Sequence, residues 1–373
     1  MTANSEKYVK VTGSGHYLPG DPVPPDKLEY YLGKITRAPK KVMRWLEKTG
    51  PLMREMLDIE YYHYAINPDT REMTETHQSM GVKAAKAALE AANMDPQDVE
   101  FIGVGSPFAM RLPPLSTLIQ DELGIDRCAE ITVFSNCSSP YKALMIAHDA
   151  IRLGRYKNAL IISTSMTSSA MMAEYYNQED LTQEDAVLRW FLSDGAGAVV
   201  LESSDIDRDG VFLEATYIES LNLPSAMGTR NPGYWVNPLT QYKERQHHIY
   251  QKMDRLAKHV ADPNAERSIF SAGIERMVKR HSIDLSDLKF FQINMPSKQV
   301  VEAILDDTEK TLGIKRETVY TKIATMGYPG PPACLICLDK ILREETLMEN
   351  DMILSFVLEV SKFMQAGFVM RKK

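Results

Sequence analysis

Short β-branched apolar runs alternate with amphipathic stretches of helical period along most of the chain. Residues 8–15 mix apolar and polar positions and close in a glycine turn, which predicts a first strand. Residues 26–58 follow a proline-rich loop and read as a helical, insertion-like segment. Over residues 74–93, Met80, Val82, Ala85, Ala88, Leu89 and Ala92 recur at helical spacing; Thr74 or Thr76 can cap this helix, and Asp95-Pro96 ends it. Residues 99–105 and 159–165 are apolar runs of the kind shown by buried parallel strands. Between them come a helix at 115–123, a strand at 131–134 and a helix at 141–153 that stops at Gly154. A variable loop, 166–190, precedes a last strand of this half at 191–201. Strands alternating with helices predict a two-sided, largely parallel α/β architecture.

The second half repeats the first. Residues 98–103 have a counterpart in 287–292, helix 143–154 in 333–344, strand 157–162 in 350–355, and 195–200 in 364–369. Most pairs lie roughly 190 residues apart, which predicts two related halves about a pseudo-twofold axis. The halves are drawn as 1–205 and 206–373, and the period sets Cys137 opposite Tyr328.

Composition narrows the class. A chain of 373 residues is too long for one ordinary core, and 44% hydrophobic with 25% charged residues fits a soluble globular protein. A net charge of −7 argues against nucleic acid or an anionic membrane as partner. Four cysteines make no disulfide framework. The polar N-terminus and the lack of any apolar run near 18 residues predict a cytoplasmic protein.

The chemistry concentrates at residues 131–147. A β-branched run ends in small polar residues, Cys137 sits at the turn, and an apolar helix begins. The residues alone leave two readings: a small cysteine that packs, or a thiol acidified by the helix N-terminus and so nucleophilic. Other candidates are weaker. Gly13-Ser14-Gly15 lacks the rest of a phosphate-binding pattern. Cys334 and Cys337 lie in an apolar helix, where packing is the expectation rather than metal binding. His247, His248 and His259 have no matching ligand set, and no metal site is expected. His16 lies in an N-terminal turn, and Met166, Met171, Met172 and Met227 fit either an acyl channel or core filling. Arg37, Lys40, Lys41, Arg44 and Lys48 surround Trp45 as a solvated face or as a dock for an acidic partner or phosphate-bearing carrier; residues 276–280 form a second basic patch.

Residues 11–19, helix 78–93, Asn136-Cys137-Ser138 and above all Ser193-Asp194-Gly195-Ala196-Gly197-Ala198 resemble the β-ketoacyl-ACP synthase III branch of the thiolase superfamily, over nearly the whole chain. The resemblance implies a five-layered αβαβα thiolase fold and a homodimer, or a heterodimer with a homologue. It also implies a nucleophilic Cys137 that takes an acyl group from acyl-CoA or an acyl carrier protein. No cofactor is implied beyond that CoA or phosphopantetheine thioester. Three departures stand out: Asn294 occupies the place of the family's His, Tyr328 that of its Asn, and Phe363 that of an oxyanion-binding glycine. An amide cannot serve as general base, so standard malonyl condensation is not expected. The expected activity is acyl transfer from Cys137 to an oxygen, nitrogen or carbon acceptor, in specialised, polyketide or fatty-acid-like biosynthesis. The alternatives are a catalytically degenerate partner subunit of an active homologue, or a scaffold that binds a carrier protein.

Overall fold

Strand pairing repeats in the two halves, strand for strand. A computed structural model describes residues 7–109, 111–223, 227–229, 251–253, 268–295 and 298–373. The first half supplies β1 (Tyr8–Tyr17), β2 (Phe101–Ser106), β3 (Ala129–Phe134), β4 (Asn158–Met166) and β5 (Asp194–Ser204) in the order β3-β2-β4-β5-β1. The second supplies β6 (Val211–Ser220), β9 (Leu288–Gln292), β10 (Val319–Tyr320), β11 (Met352–Glu359) and β12 (Met364–Lys372) in the order β10-β9-β11-β12-β6. A separate small ribbon pairs β7 (Met227–Thr229) with β8 (Gln251–Met253). In each half four strands run in one direction and one, β5 or β12, runs against them. The halves join where β1 meets β6 through Lys10 and Val11.

Sequence explains the layers. β2, β4 and most of β5 are buried on both faces because helices cover both sides, which the unbroken apolar runs anticipated. Helix Ser139–Arg152 lies between the sheets, packing on β2 and β4 and across to β6 and β12. Its Tyr141 hydroxyl meets Ser355 Oγ of β11 at 2.7 Å. Helix Ala333–Glu344 lies beside it on β5 and β1. Helix His77–Ala92 covers the outer face of the first sheet and helix Ile269–His281 that of the second, giving five layers. Thr76, not Thr74, caps helix His77–Ala92, through a reciprocal bond with Ser79.

Two sequence features acquire a packing reason. A Cβ on Gly13 would stand 2.2 Å from the Ala88 carbonyl oxygen, and one on Gly15 2.6 Å from that of Ala84. The glycines let β1 approach helix His77–Ala92 closely; they do not cradle a phosphate. The insertion resolves into helices Leu28–Leu32 and Lys40–Leu57 rather than one continuous helix, because Gly33 turns the chain at φ +77°. Among the described residues no helix is long and apolar enough to cross a membrane.

Candidate functional site

All the site groups lie at or just beyond the carboxyl ends of parallel strands. Cys137 follows β3, Asn294 follows β9, Tyr328 follows β10, and Glu359 ends β11. Open α/β sheets place ligand sites at such strand ends.

Cys137 and Tyr328 come together as the repeat predicted: Cys137 Sγ lies 3.4 Å from the Tyr328 hydroxyl, and both residues are buried. Tyr328 is held by its backbone, whose carbonyl accepts the Ser193 N–H at 2.9 Å. Burial, then the neighbouring Cys137, holds the phenol well above its ordinary range. It therefore remains an O–H at neutral pH and can donate to sulfur.

Asn294 is buried but turned elsewhere. Its Oδ1 accepts from Cys337 Sγ at 3.2 Å, and among the described residues no hydrogen bond joins it to the Cys137 sulfur. Pro296 and Ser297, from the same stretch, lie outside the described residues.

Glu359 was not legible in the sequence, where it looks like a polar stop to an apolar strand. It is 2% exposed. Its Oε2 accepts the Ser138 N–H at 2.9 Å, the Ser138 hydroxyl, and the Ser135 hydroxyl at 3.0 Å; its Oε1 accepts the Ser361 hydroxyl at 2.7 Å. Lys142 Nζ donates to Ser135 Oγ at 2.8 Å. A carboxylate from the second half thus caps helix Ser139–Arg152 in the first.

This corrects the expectation of an acidified thiol. Burial, followed by the negative charge of Glu359, pushes Cys137 up to about 12, against the opposing pull of the Tyr328 hydroxyl and its own backbone N–H. The helix N–H groups that would favour a thiolate are engaged. Ser138 N–H goes to Glu359, and Ser139 N–H goes to the Asn136 carbonyl at 2.9 Å.

Phe363 is fully buried and follows Lys362 in a turn where both have positive φ, +68° and +52° in chain order. The turn keeps a backbone course suited to glycine while carrying large side chains.

The remaining candidates that lie among the described residues pack or pair within the fold. Cys334 and Cys337 are buried in helix Ala333–Glu344, and among the described residues no cluster could hold a metal. His16 Nδ1 bonds Asp339 at 2.6 Å, within a group that also includes Ser14 and Arg343. Met166 and Met171 are core residues, and Met172 is partly buried against them; the side chain of Met227 lies outside the described residues, as do His247, His248 and His259. Arg276, in the second basic patch, is tied to Glu219 at 2.7 Å.

Asp194 explains the diagnostic segment. Fully buried, it accepts N–H bonds from Ala65 and Ser168, both at 2.8 Å, and so ties β5 to two loops; burial pushes it up to about 6.

Two mixed sheets about a buried helix pair, with a cysteine opening one helix, define a thiolase-fold protein. Comparison with known proteins agrees. Residues 132–219 match the 3-oxoacyl-[acyl-carrier-protein (ACP)] synthase III family. The chain is 30% identical over 339 residues to a β-ketoacyl-[acyl-carrier-protein] synthase III of Streptomyces lividans, covering 87% of this chain and 89% of that one. The priming β-ketosynthase of the R1128 polyketide pathway superposes with a TM-score of 0.75 at 20% identity, over 100% of this chain and 98% of that one. The 3-oxoacyl-[acyl-carrier-protein] synthase III of Aquifex aeolicus superposes at 0.73, with 20% identity, over 97% and 99%. The chain belongs to the β-ketoacyl-ACP synthase III family, a family of acyl-transferring condensing enzymes.

Proposed function

We propose that the protein takes an acyl group from an acyl-CoA or acyl-carrier-protein thioester onto Cys137 and passes it to an acceptor in specialised or fatty-acid-like biosynthesis. The observation that carries this reading is the Cys137 thiol at the start of a buried helix with the Tyr328 O–H 3.4 Å from its sulfur. Sulfur attacks the thioester carbonyl, the C–S bond of the donor breaks, and the thiol proton leaves with the departing thiol. The acceptor then attacks the enzyme thioester and Cys137 regains its proton. Tyr328 supplies a neutral hydrogen-bond donor at the reacting atoms. Asn294, engaged with Cys337 and unable to take a proton, supports an acceptor other than a decarboxylating malonyl unit.

The test is intact mass after incubation with acyl-CoA. One acyl adduct in the native protein and none in Cys137→Ala is expected; an adduct that persists in that variant would overturn the reading. The second reading, a degenerate subunit or carrier-binding scaffold, draws support from the Glu359 carboxylate beside the thiol, and no adduct at all would favour it.

Two partner readings accompany the proposal. The strand order supports the division at residues 205–206, and β3, at the outer edge of its sheet with Phe134 56% exposed, supports a dimer formed across that edge. Helix Lys40–Leu57 packs on helices Gln183–Val187 and Lys298–Leu312, which follow β4 and β9 on the site's side of the sheets. Lys40, Lys41, Arg44 and Lys48 are exposed there, which supports a docked acidic carrier.

A further inference from the structure

Glu359 belongs to a network with one unusual property: it brings an anion to the place where a nucleophilic thiolate would want a positive field. Helix N-termini favour negative charge, and the first turn has a limited number of N–H groups to offer. Here the Ser138 N–H is committed to Glu359 Oε2 at 2.9 Å. The carboxylate is buried and receives its remaining bonds from three hydroxyls, those of Ser135, Ser138 and Ser361. Every bond points toward the carboxylate, so nothing in the network needs it to carry a proton.

The charged and titratable groups around it are few. From the nucleophile's own helix come Cys137 and Lys142, whose Nζ reaches the cluster through Ser135 at 2.8 Å. From the loop after β10 comes Tyr328, and beneath it lie Tyr141 and Cys334, both buried. On Glu359's own turn Lys362 is exposed. Lys142 is thus the one cation bonded into the cluster among the described residues. It sits one hydroxyl away, and burial lowers its own affinity for a proton.

We propose that Glu359 is the positioning residue that sets the reactivity of Cys137, capping the nucleophile's helix with a carboxylate so that the thiol keeps its proton until substrate is bound. Charge balance gives the reason. With the helix N–H engaged by one anion, a second anion at Cys137 meets like charge in a buried place. An isolated thiolate would react with any electrophile that entered. A thiol that must lose its proton as it attacks reacts only with a thioester held in place beside the Tyr328 hydroxyl. The second half of the chain thereby controls a nucleophile carried by the first.

The proposal rests on the reading of Cys137 as the nucleophile, but its test does not need an acyl substrate. The rate of Cys137 alkylation by iodoacetamide is measured from pH 6 to 10.5, with the modified cysteine located by peptide mass spectrometry. The native protein is compared with Glu359→Gln, which keeps an oxygen for the Ser138 N–H and removes the charge. Expected is a profile moved to lower pH by about one unit in Glu359→Gln, a rate near pH 7.5 about tenfold higher, and an unchanged thermal midpoint. Lys142→Met moves the profile the other way. A Glu359→Gln profile that superposes on the native one, with the fold intact, overturns the proposal, and so does a slower reaction. Should Glu359→Gln fail to fold, Lys142→Met decides: a profile moved to higher pH supports the proposal and an unmoved one overturns it. Absence of an acyl adduct in the separate mass experiment would defeat the transferase reading and leave this result standing.

Discussion

The Tyr328 hydroxyl lies 3.4 Å from Cys137 Sγ, joining two residues 191 positions apart in the chain. This contact spans the two halves, and it carries the first prediction. Tyr328→Phe removes one donor to sulfur, a bond worth about 1 kcal/mol. The rate of acyl adduct formation should fall about fivefold, and the thiol should become harder to ionise, since this hydroxyl is one of the groups that lowers it. Time-resolved intact mass at several pH values checks both effects. An unchanged rate would remove Tyr328 from the site.

Acid sensitivity should come from His77. Its Nε2 is buried without a partner, and burial lowers the imidazole to about 4, with the Arg111 charge adding to the effect. The folded form therefore binds a proton less readily than the unfolded chain, whose histidine titrates near 6.5. Stability contributed by the neutral ring is complete above pH 6.5 and is lost as pH falls from about 6.5 to 4. His77→Phe keeps the ring contact with Phe108. It should flatten the fall in unfolding free energy across that window by up to about 3 kcal/mol, as denaturant titrations at pH 7 and pH 4.5 would show.

Gly197 should tolerate no side chain. A Cβ there would stand 2.7 Å from Leu335 Cβ and 2.9 Å from the Ile336 nitrogen, so helix Ala333–Glu344 would have to move off β5. Gly197→Ala is expected to destabilise by about 2 kcal/mol or more. Thermal unfolding measures the loss, and a wild-type midpoint would contradict the packing.

Phe134→Glu tests the proposed dimer edge. Placing a charge on β3 at the exposed Phe134 should shift the sedimentation of the protein from dimer to monomer. A dimer of unchanged affinity would place the interface elsewhere.

Reversing the charges on helix Lys40–Leu57 separates the two donors. Lys40→Glu, Arg44→Glu and Lys48→Glu together should slow acylation from a carrier protein about tenfold, with the effect shrinking as salt rises. Acylation from acyl-CoA should stay close to wild type. Equal slowing of both donors would mean that the helix serves the site in another way.

The elements were legible wherever periodicity was strong. The runs that became β2 and β4 are apolar throughout because both faces are covered, and helix His77–Ala92 shows its buried stripe directly. Cys137 and Tyr328 could be set opposite each other because the repeat conserves the order of elements. Asn294 was placed by counting along a strand, which fixes a backbone position but not where a side chain turns; Cys337 takes its oxygen. Glu359 could not be found that way. One acid ending an apolar strand reads as solvent-facing, and its partners Ser135 and Ser138 lie more than 220 residues upstream. The local dipole at Cys137 was visible, but its burial, and after that the distant Glu359 charge, were not, and together they push the thiol up.

The cap from Glu359 also has a consequence during synthesis. β3 and helix Ser139–Arg152 leave the ribosome long before β11 exists, so the growing chain carries Cys137 with neither its phenol nor its carboxylate neighbour. Long-range pairing of this kind closes late in folding. A nascent first half would hold a bare thiol beside uncovered strands, exposed to oxidation and to wrong partners. Completion of β11 seats that helix and sets a carboxylate beside its sulfur, so the surroundings of Cys137 are complete only when nearly the whole chain has been made.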